Sequence, residues 1–224
     1  YVAGKLTINP APLTVKAIYT SIIYGEEATN NGVEYLGFVN NETTDVLEFN
    51  DLVYSYTYNQ DDAETRKVGT YNILLNGSDV YGNNYEVTLD NTGILEVLPF
   101  EIKISTESDT KVYDGTPLTN DGKTIEYVSA KALPYGEELV VTVVGTITNV
   151  GTTPNNFTAH VDNSYLENYF FNSSLGTLEV TKRPIEFYTN DYSTIYDGQV
   201  HKNEDYLIRS AEGLYDLVTG HVYN

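Results

Sequence analysis

Gly93-Ile94-Leu95-Glu96-Val97-Leu98-Pro99-Phe100-Glu101-Ile102-Lys103-Ile104 decides the fold. Leu95 and Val97 flank Glu96, and beyond the proline Phe100, Ile102 and Ile104 alternate with Glu101 and Lys103. Alternation with a period of two marks strands with one buried face. Proline fixes φ and donates nothing to a ladder, so one strand ends before Pro99 and another starts after it. The same strand-proline-strand order recurs around Asn9-Pro10-Ala11-Pro12, before Leu13-Thr14-Val15, and around Thr181-Lys182-Arg183-Pro184, before Ile185-Glu186-Phe187.

Other phrases repeat in step. Closing strands read Gly4-Lys5-Leu6-Thr7-Ile8, Gly93-Ile94-Leu95-Glu96-Val97 and Gly176-Thr177-Leu178-Glu179-Val180. A tyrosine turn reads Tyr24-Gly25, Tyr113-Asp114-Gly115 and Tyr196-Asp197-Gly198. Gly and Asp-Gly tolerate positive φ, so each copy reads as a tight turn after a short strand. An acidic-Leu-Val triplet (Asp51, Glu138, Asp216), a Val-Gly-Thr phrase (Val68, Val150) and an Asn-Tyr strand (Asn84, Asn168) follow. The period of about 85 residues exceeds the ~20–50 of a solenoid unit and suits a small autonomous domain.

The organisation expected is therefore a closing strand of a preceding repeat at 1–10, complete β repeats at 11–98 and 99–182, and an incomplete third at 183–224. The third is expected to lack its last strands, because Gly220-His221-Val222-Tyr223-Asn224 aligns with the residues just before Val150. Without an initiator Met, Tyr1 is expected to follow processing or excision from a longer chain. Short helical turns are expected at 41–47 and 204–212. The near absence of a linker at each proline predicts a stiff joint. The fold class is all-β: tandem small β-sandwich (Ig-like) or β-grasp-like modules in an elongated array.

Of the 224 residues, 12 are basic and 32 acidic, a formal net charge of -20. Such a surface repels nucleic acid and anionic lipid and keeps a chain soluble. There is no cysteine, so no disulfide framework or thiolate metal site. No stretch approaches the roughly 20 apolar residues of a membrane span, so no membrane insertion is expected in this segment. The 21 tyrosines, with Thr, Val and Ile, favour strands.

Little in the chain points to catalysis. His160, His201 and His221 fall in no metal-binding spacing, and no nucleophile elbow or phosphate loop is present. The acidic turns Glu26-Glu27, Asp61-Asp62 with Glu64, Asp114 with Asp121, and Asp191 with Asp197 are the candidate calcium ligands. They lack EF-hand or RTX-type spacing and read first as solvated acidic surface. Lys16 and Lys103 fall on the polar face, against an intramolecular isopeptide bond. The sequons at Asn41, Asn76, Asn156 and Asn172 carry little information. Tyr-Gly-Glu-Glu at 24–27 recurs at 135–138 in a different part of the repeat and reads as coincidence of composition. Tyr24, Tyr113 and Tyr196 read as structural, the ring packed and the hydroxyl bonded near the turn.

The junction Leu6 to Val15, the Tyr-Gly-Glu and Tyr-Asp-Gly turns, Gly37-Phe38-Val39-Asn40-Asn41-Glu42, Val68-Gly69-Thr70-Tyr71 and Asn84-Tyr85 together resemble the MBG/YDG family of tandem modules in very large bacterial surface adhesins. The resemblance covers essentially the whole chain. The acidic insertion Asn59 to Glu64 and the unfinished third repeat depart from it. It implies all-β modules of a secreted, extracellular cell-surface protein, with no catalytic residues and no cofactor. Three functions follow as expectations: a non-enzymatic structural stalk or extracellular fibre; an adhesive module for glycan or a host surface protein; or a filament subunit assembled by β-strand complementation. Partners are accordingly neighbouring repeats or subunits, or a glycan or host protein.

Overall fold

Leu13, Val15 and Ala17 lie along one face of β1 (Ala11–Ala17) and are at most 2% exposed, while Thr14 and Lys16 face outward. The structure is a computed structural model. It describes residues 3–49, 52–77, 80–162, 165–189, 191–204 and 206–210. After β1 come β2 (Thr20–Ile23), β3 (Val33–Leu36), β4 (Glu48–Phe49), β5 (Val53–Tyr56), β6 (Gly69–Asn76), β7 (Val80–Tyr81), β8 (Tyr85–Asp90) and β9 (Gly93–Leu98). They form a three-stranded sheet β3-β1-β8, a four-stranded sheet β2-β9-β6-β5 and a two-stranded ribbon β4-β7. β1 pairs with β8 in parallel and with β3 antiparallel; β2 pairs with β9 in parallel.

The alternation explains the core. Ile73 and Leu75 of β6 and Leu95 and Val97 of β9 join the β1 residues, each buried. Burying each such side chain contributes about 1.5–3 kcal/mol. The repeated glycine of the closing strand has a steric reason: a Cβ on Gly93 would come within 2.6 Å of Ala17 Cβ. At Gly176 it would meet the Glu107 carbonyl at 2.3 Å. Both hairpins therefore bring backbone too close for any side chain.

The chain continues as β10 (Phe100–Thr106), β11 (Asp109–Val112), β12 (Lys123–Tyr127), β13 (Glu138–Val143), β14 (Gly151–Pro154), β15 (Phe157–Asp162), β16 (Tyr169–Ser174), β17 (Thr177–Thr181), β18 (Ile185–Thr189) and β19 (Tyr206–Ser210). The order β12-β10-β16 repeats β3-β1-β8, and β11-β17-β14 repeats β2-β9-β6. Only Pro99 separates β9 from β10. Among the described residues helix is confined to three short 3-10 turns, so the chain is all-β as expected.

Two compact units emerge. The first is Tyr1–Lys103 with Glu126–Val140 and His160–Asn172; the second is Ile104–Ile125, Val141–Ala159 and Ser173–Asn224. The second has a core of Leu118, Leu178 and Val180, with Tyr113 and Ile147 against it.

Several expectations change. Residues 3–10 form no strand, and Leu6 and Ile8 are each 87% exposed. Alternation alone does not make a strand; a ladder needs a paired edge, and among the described residues none meets this segment. The turn expected at 41–47 is present as a 3-10 turn, Thr44–Val46, whose cap Thr43 accepts from the Asp45 N–H. The one expected at 204–212 is replaced at Tyr206–Ser210 by a strand paired antiparallel with β18, Phe187 opposite Ile208. The triplet at Asp216, the segment Gly220 to Asn224 and Asp51 lie outside the described residues.

Candidate functional site

The tyrosine turn of the first repeat lies in the first unit. β2 runs beside β9, and the Tyr24 N–H continues that ladder to the Leu98 carbonyl at 2.8 Å. The chain then turns: the Glu26 N–H donates to the Ile23 carbonyl, and the Glu26 carboxylate accepts from the Ile23 N–H at 2.7 Å. Gly25 sits at φ 99°, and a Cβ there would come within 2.4 Å of Pro134 Cγ. Glycine is needed twice over, for the backbone angle and for the approach of the 134–137 loop.

That loop comes from the next repeat. Pro134–Gly136 is a 3-10 turn closed by the Glu137 N–H on the Pro134 carbonyl, with Tyr135 at φ 55°. The turn aims the Glu137 side chain inward, where the residue is 8% exposed. Tyr24, 2% exposed, donates its hydroxyl to Glu137 Oε1 at 2.8 Å. Tyr169, 6% exposed, donates to Glu137 Oε2. One carboxylate thus ties a phenol of the first repeat to a phenol of the second. Hydrogen bonds to a charged group contribute about 1.5–3 kcal/mol each.

Aromatic edges fill the space around this centre. The Tyr24 ring meets Tyr135 at 5.5 Å and Tyr169 at 5.7 Å, both edge to face, and Tyr169 meets Phe100 at 6.1 Å. Such pairs contribute about 0.5–1.5 kcal/mol beyond their buried area. Arg66 lies 3.8 Å from the Tyr135 ring centroid, a cation over a π face. The Tyr58 hydroxyl donates to the Glu26 carbonyl at 3.1 Å, and burial, then the Tyr135 hydroxyl, pushes its pKa upward. Beside it a cavity of about 160 Å³ opens between the turn and Phe100, Ala130 and Pro134.

A second strip of contacts runs from the acidic insertion. Asn168, 1% exposed, accepts from the Val68 N–H at 3.0 Å. Tyr165 donates to Glu64 Oε1 at 2.7 Å, and Lys67 reaches Glu64 Oε2 at 2.7 Å while lying over the Tyr165 ring. Lys67, then Tyr165, holds the Glu64 carboxyl below its ordinary value.

These contacts place several of the candidate residues. Among the described residues no three His, Asp or Glu side chains gather as a metal site. Asp61 and Asp62 cap their own turn, the Asp61 N–H on Asn59 Oδ1 and the Glu64 N–H on Asp62 Oδ1. Glu64 is engaged by Lys67 and Tyr165, which brace the end of the insertion. Asp114 Oδ1 accepts from Lys111 Nζ at 2.8 Å, from the Thr116 N–H at 2.9 Å and from the Thr116 hydroxyl. Lys16 and Lys103 do face outward, toward Asp90 and Glu126 at 3.9 Å each.

The three turns solve one problem by two chemistries. Gly115 and Gly198 also have positive φ, 82° and 78°. There, however, Asp stands directly after the tyrosine and its carboxylate accepts the N–H two residues on, from Thr116 or Gln199. Tyr196 is 91% exposed, unlike Tyr24. The Lys111 ammonium, then Thr116, holds Asp114 well below the usual carboxylate range. A depressed folded value makes the carboxylate stabilising above its unfolded value and lets that contribution vanish as pH falls through the folded one. Lys111→Ala is therefore expected to raise the Asp114 titration midpoint toward ~3.9, read by carboxyl-carbon NMR; an unmoved midpoint would contradict the Lys111 assignment.

Sequence reasoning placed the Tyr24 ring correctly in the interior but put its hydroxyl partner near the turn. The partner is 113 residues away. The two Tyr-Gly-Glu-Glu runs, taken as coincidence, face each other: Tyr24 of one touches Tyr135 of the other and bonds Glu137. No curated protein and no solved structure matches the chain. The model of one family, described as the MBG domain (YGX type), matches residues 13–96. That span holds the Tyr24-Gly25 turn, the two sheets that present it and the Asn84-Tyr85 strand, so it is this first repeat, residues 13–96, that is similar to the MBG domain of the YGX type.

Proposed function

We propose that the chain is a non-enzymatic structural segment of a bacterial cell-surface or extracellular protein, a stalk of tandem β modules locked to one another by tyrosine joints. The observation that carries this reading is the Tyr24–Glu137–Tyr169 centre. A buried carboxylate shared by phenols of consecutive repeats is closed off by the two rings that bond it; its work is to hold two modules in one register. Pro99 alone between β9 and β10 leaves the joint no slack. The net charge of -20 suits a long soluble polymer and disfavours nucleic acid as a partner. Among the described residues no helix is long and apolar enough to cross a membrane.

Small-angle scattering of the whole chain tests the reading. A rigid extended particle is expected, its maximum dimension shrinking or spreading when Tyr24→Ala loosens the joint. A freely jointed, collapsed particle in the unsubstituted chain would overturn it.

A further inference from the structure

The 21 tyrosines of this chain are accompanied by no cysteine, methionine or tryptophan. Cysteine and methionine are the usual sinks for oxidants, and an indole gives up an electron more readily than a phenol. Without all three, an oxidising equivalent that reaches the chain comes to rest on a tyrosine. Packing then decides which phenols it joins.

One pair meets hydroxyl to hydroxyl between the repeats. Tyr58 of the first repeat and Tyr135 of the second are 77 residues apart and lie in the same compact unit. The Tyr58 O–H donates to the Glu26 carbonyl at 3.1 Å, so it is the Tyr135 hydroxyl that donates to the Tyr58 oxygen, at 3.4 Å. The edges that meet are those carrying the ortho carbons, where a phenoxyl radical holds much of its spin. The neighbouring ring pairs, Tyr24 with Tyr135 or Tyr169 and Tyr58 with Tyr71, meet edge to face instead. Their hydroxyls point elsewhere, Tyr24 and Tyr169 to Glu137 and Tyr71 to the Lys67 carbonyl. Access within the pair is unequal: Tyr135 is 39% exposed and open to an oxidant, Tyr58 only 5%. The Arg66 guanidinium, 3.8 Å from the Tyr135 ring centroid, holds that ring in place and disfavours a positive charge on it. An oxidised Tyr135 therefore sheds its proton as it loses its electron.

We propose that Tyr58 and Tyr135 are an oxidative crosslinking site, joined ortho carbon to ortho carbon as a dityrosine when a one-electron oxidant, such as a haem peroxidase fed with hydrogen peroxide, meets the chain. Tyr135 gives up an electron and its hydroxyl proton to the oxidant and water. Its radical takes the hydrogen atom of the Tyr58 hydroxyl across the short gap, and a second oxidising equivalent removes an electron and a proton from Tyr135 again. The two phenoxyl radicals pair their electrons in one new C–C bond. Each ring then returns its ortho hydrogen to its own oxygen, which restores both phenols. Two electrons and two protons leave the protein, and with them one hydrogen peroxide becomes two waters. The bond fastens the first repeat to the second covalently, beside the hydrogen-bonded centre at Glu137. It closes a loop of 77 residues, and a crosslink over a long loop strongly restricts the unfolded chain. The site goes beyond the stalk reading and needs only the Tyr58–Tyr135 contact.

Treating the whole chain at high dilution with a haem peroxidase and limiting hydrogen peroxide, then digesting the recovered monomer for mass spectrometry, tests this. A joined pair of peptides holding Tyr58 and Tyr135, lighter by two hydrogen atoms than the sum of its parts, is expected, with the blue fluorescence of dityrosine in the same fraction. Tyr135→Phe and Tyr58→Phe keep both rings and remove one phenol each; each is expected to lose that joined pair and most of the monomer's fluorescence. The treated wild-type chain is expected to unfold at higher urea than the untreated one, and each treated variant at the same urea as its untreated form. The proposal is overturned by the absence of the joined pair, by coupling spread evenly over many tyrosine pairs, by fluorescence undiminished in both variants, or by an unmoved wild-type midpoint. None of these outcomes touches the Tyr24–Glu137–Tyr169 joint, which the scattering of Tyr24→Ala examines separately.

Discussion

Replacing Tyr24 by alanine is expected to lower the unfolding free energy of the first compact unit by about 3–5 kcal/mol, the range for removing a large buried aromatic side chain. The ring is 2% exposed and touches Tyr135 and Tyr169, so little can collapse into the space it leaves. The deletion also strips a donor from Glu137 in an interior where water is scarce. Tyr24→Phe separates the two effects. It keeps the ring and removes only the hydroxyl, and is expected to cost about 1.5–3 kcal/mol, the worth of a bond to a carboxylate. Tyr169→Phe removes the other donor to the same group. Because both phenols act on one carboxylate, the double variant is expected to depart from the sum of the singles by about 0.5–3 kcal/mol. Urea unfolding of wild type and the four variants measures all of this. If Tyr24→Phe cost as much as Tyr24→Ala, the ring packing would be irrelevant; if Tyr24→Ala cost nothing, there would be no joint.

The joint also shows what a sequence reveals and what it withholds. The strands of the first repeat were legible because burial there follows local order: Leu13, Val15 and Ala17 alternate with polar neighbours, and the pleat turns that pattern directly into an inner and an outer face. The turn was legible because positive φ selects glycine or Asp-Gly, as Gly25, Gly115 and Gly198 do. Even the glycine of each closing strand had a visible signal, since its recurrence at Gly93 and Gly176 reflects one close backbone approach.

Glu137 had no such signal. It sits beside Glu138, which is exposed, in a chain rich in acidic residues, and nothing local distinguishes the buried carboxylate from its neighbour. Its environment comes from Tyr24, far away along the chain, and contacts between repeats carry no period that an eye can follow. The segment 3–10 fails in the opposite sense. Its alternation matches that of β9, but β9 lies between β2 and β6, and among the described residues no strand pairs with this segment. The pattern states which face a strand would bury, and the neighbour decides whether there is a strand at all.

Asn155 is the second residue with no local signal, and its substitution is expected to have the second large effect. It is fully buried in the second unit. Its Nδ2 donates to the Glu107 carbonyl at 3.0 Å and the Asn120 carbonyl at 2.9 Å; its main chain accepts from the Thr106 hydroxyl at 2.7 Å and donates to the Gly176 carbonyl at 2.8 Å. The side chain thus joins the end of β10 to the 118–122 loop, while its backbone joins both to the final hairpin. Gly145 makes room for it, since a Cβ there would come within 2.2 Å of Asn155 Oδ1. Asn155→Ala leaves two part-buried carbonyls without these donors and is expected to cost about 2–6 kcal/mol, at roughly 1–3 kcal/mol per orphaned group. Asn155→Asp has the same shape and is expected to be worse at neutral pH, because a carboxylate would face the two carbonyl oxygens that now receive N–H bonds. Burial and those oxygens disfavour the charged form, so the folded pKa of the new carboxyl lies above its unfolded value. The aspartate variant is then least harmful below the unfolded value, where the protonated carboxyl can donate to one carbonyl, and loses stability as pH rises through the folded one. Urea unfolding of wild type and both variants, each compared with wild type at the same pH, should show the aspartate deficit exceeding the alanine deficit at pH ~7 and shrinking near pH ~4. An aspartate variant as stable as wild type at neutral pH would mean that the Asn155 amide does not bridge those carbonyls.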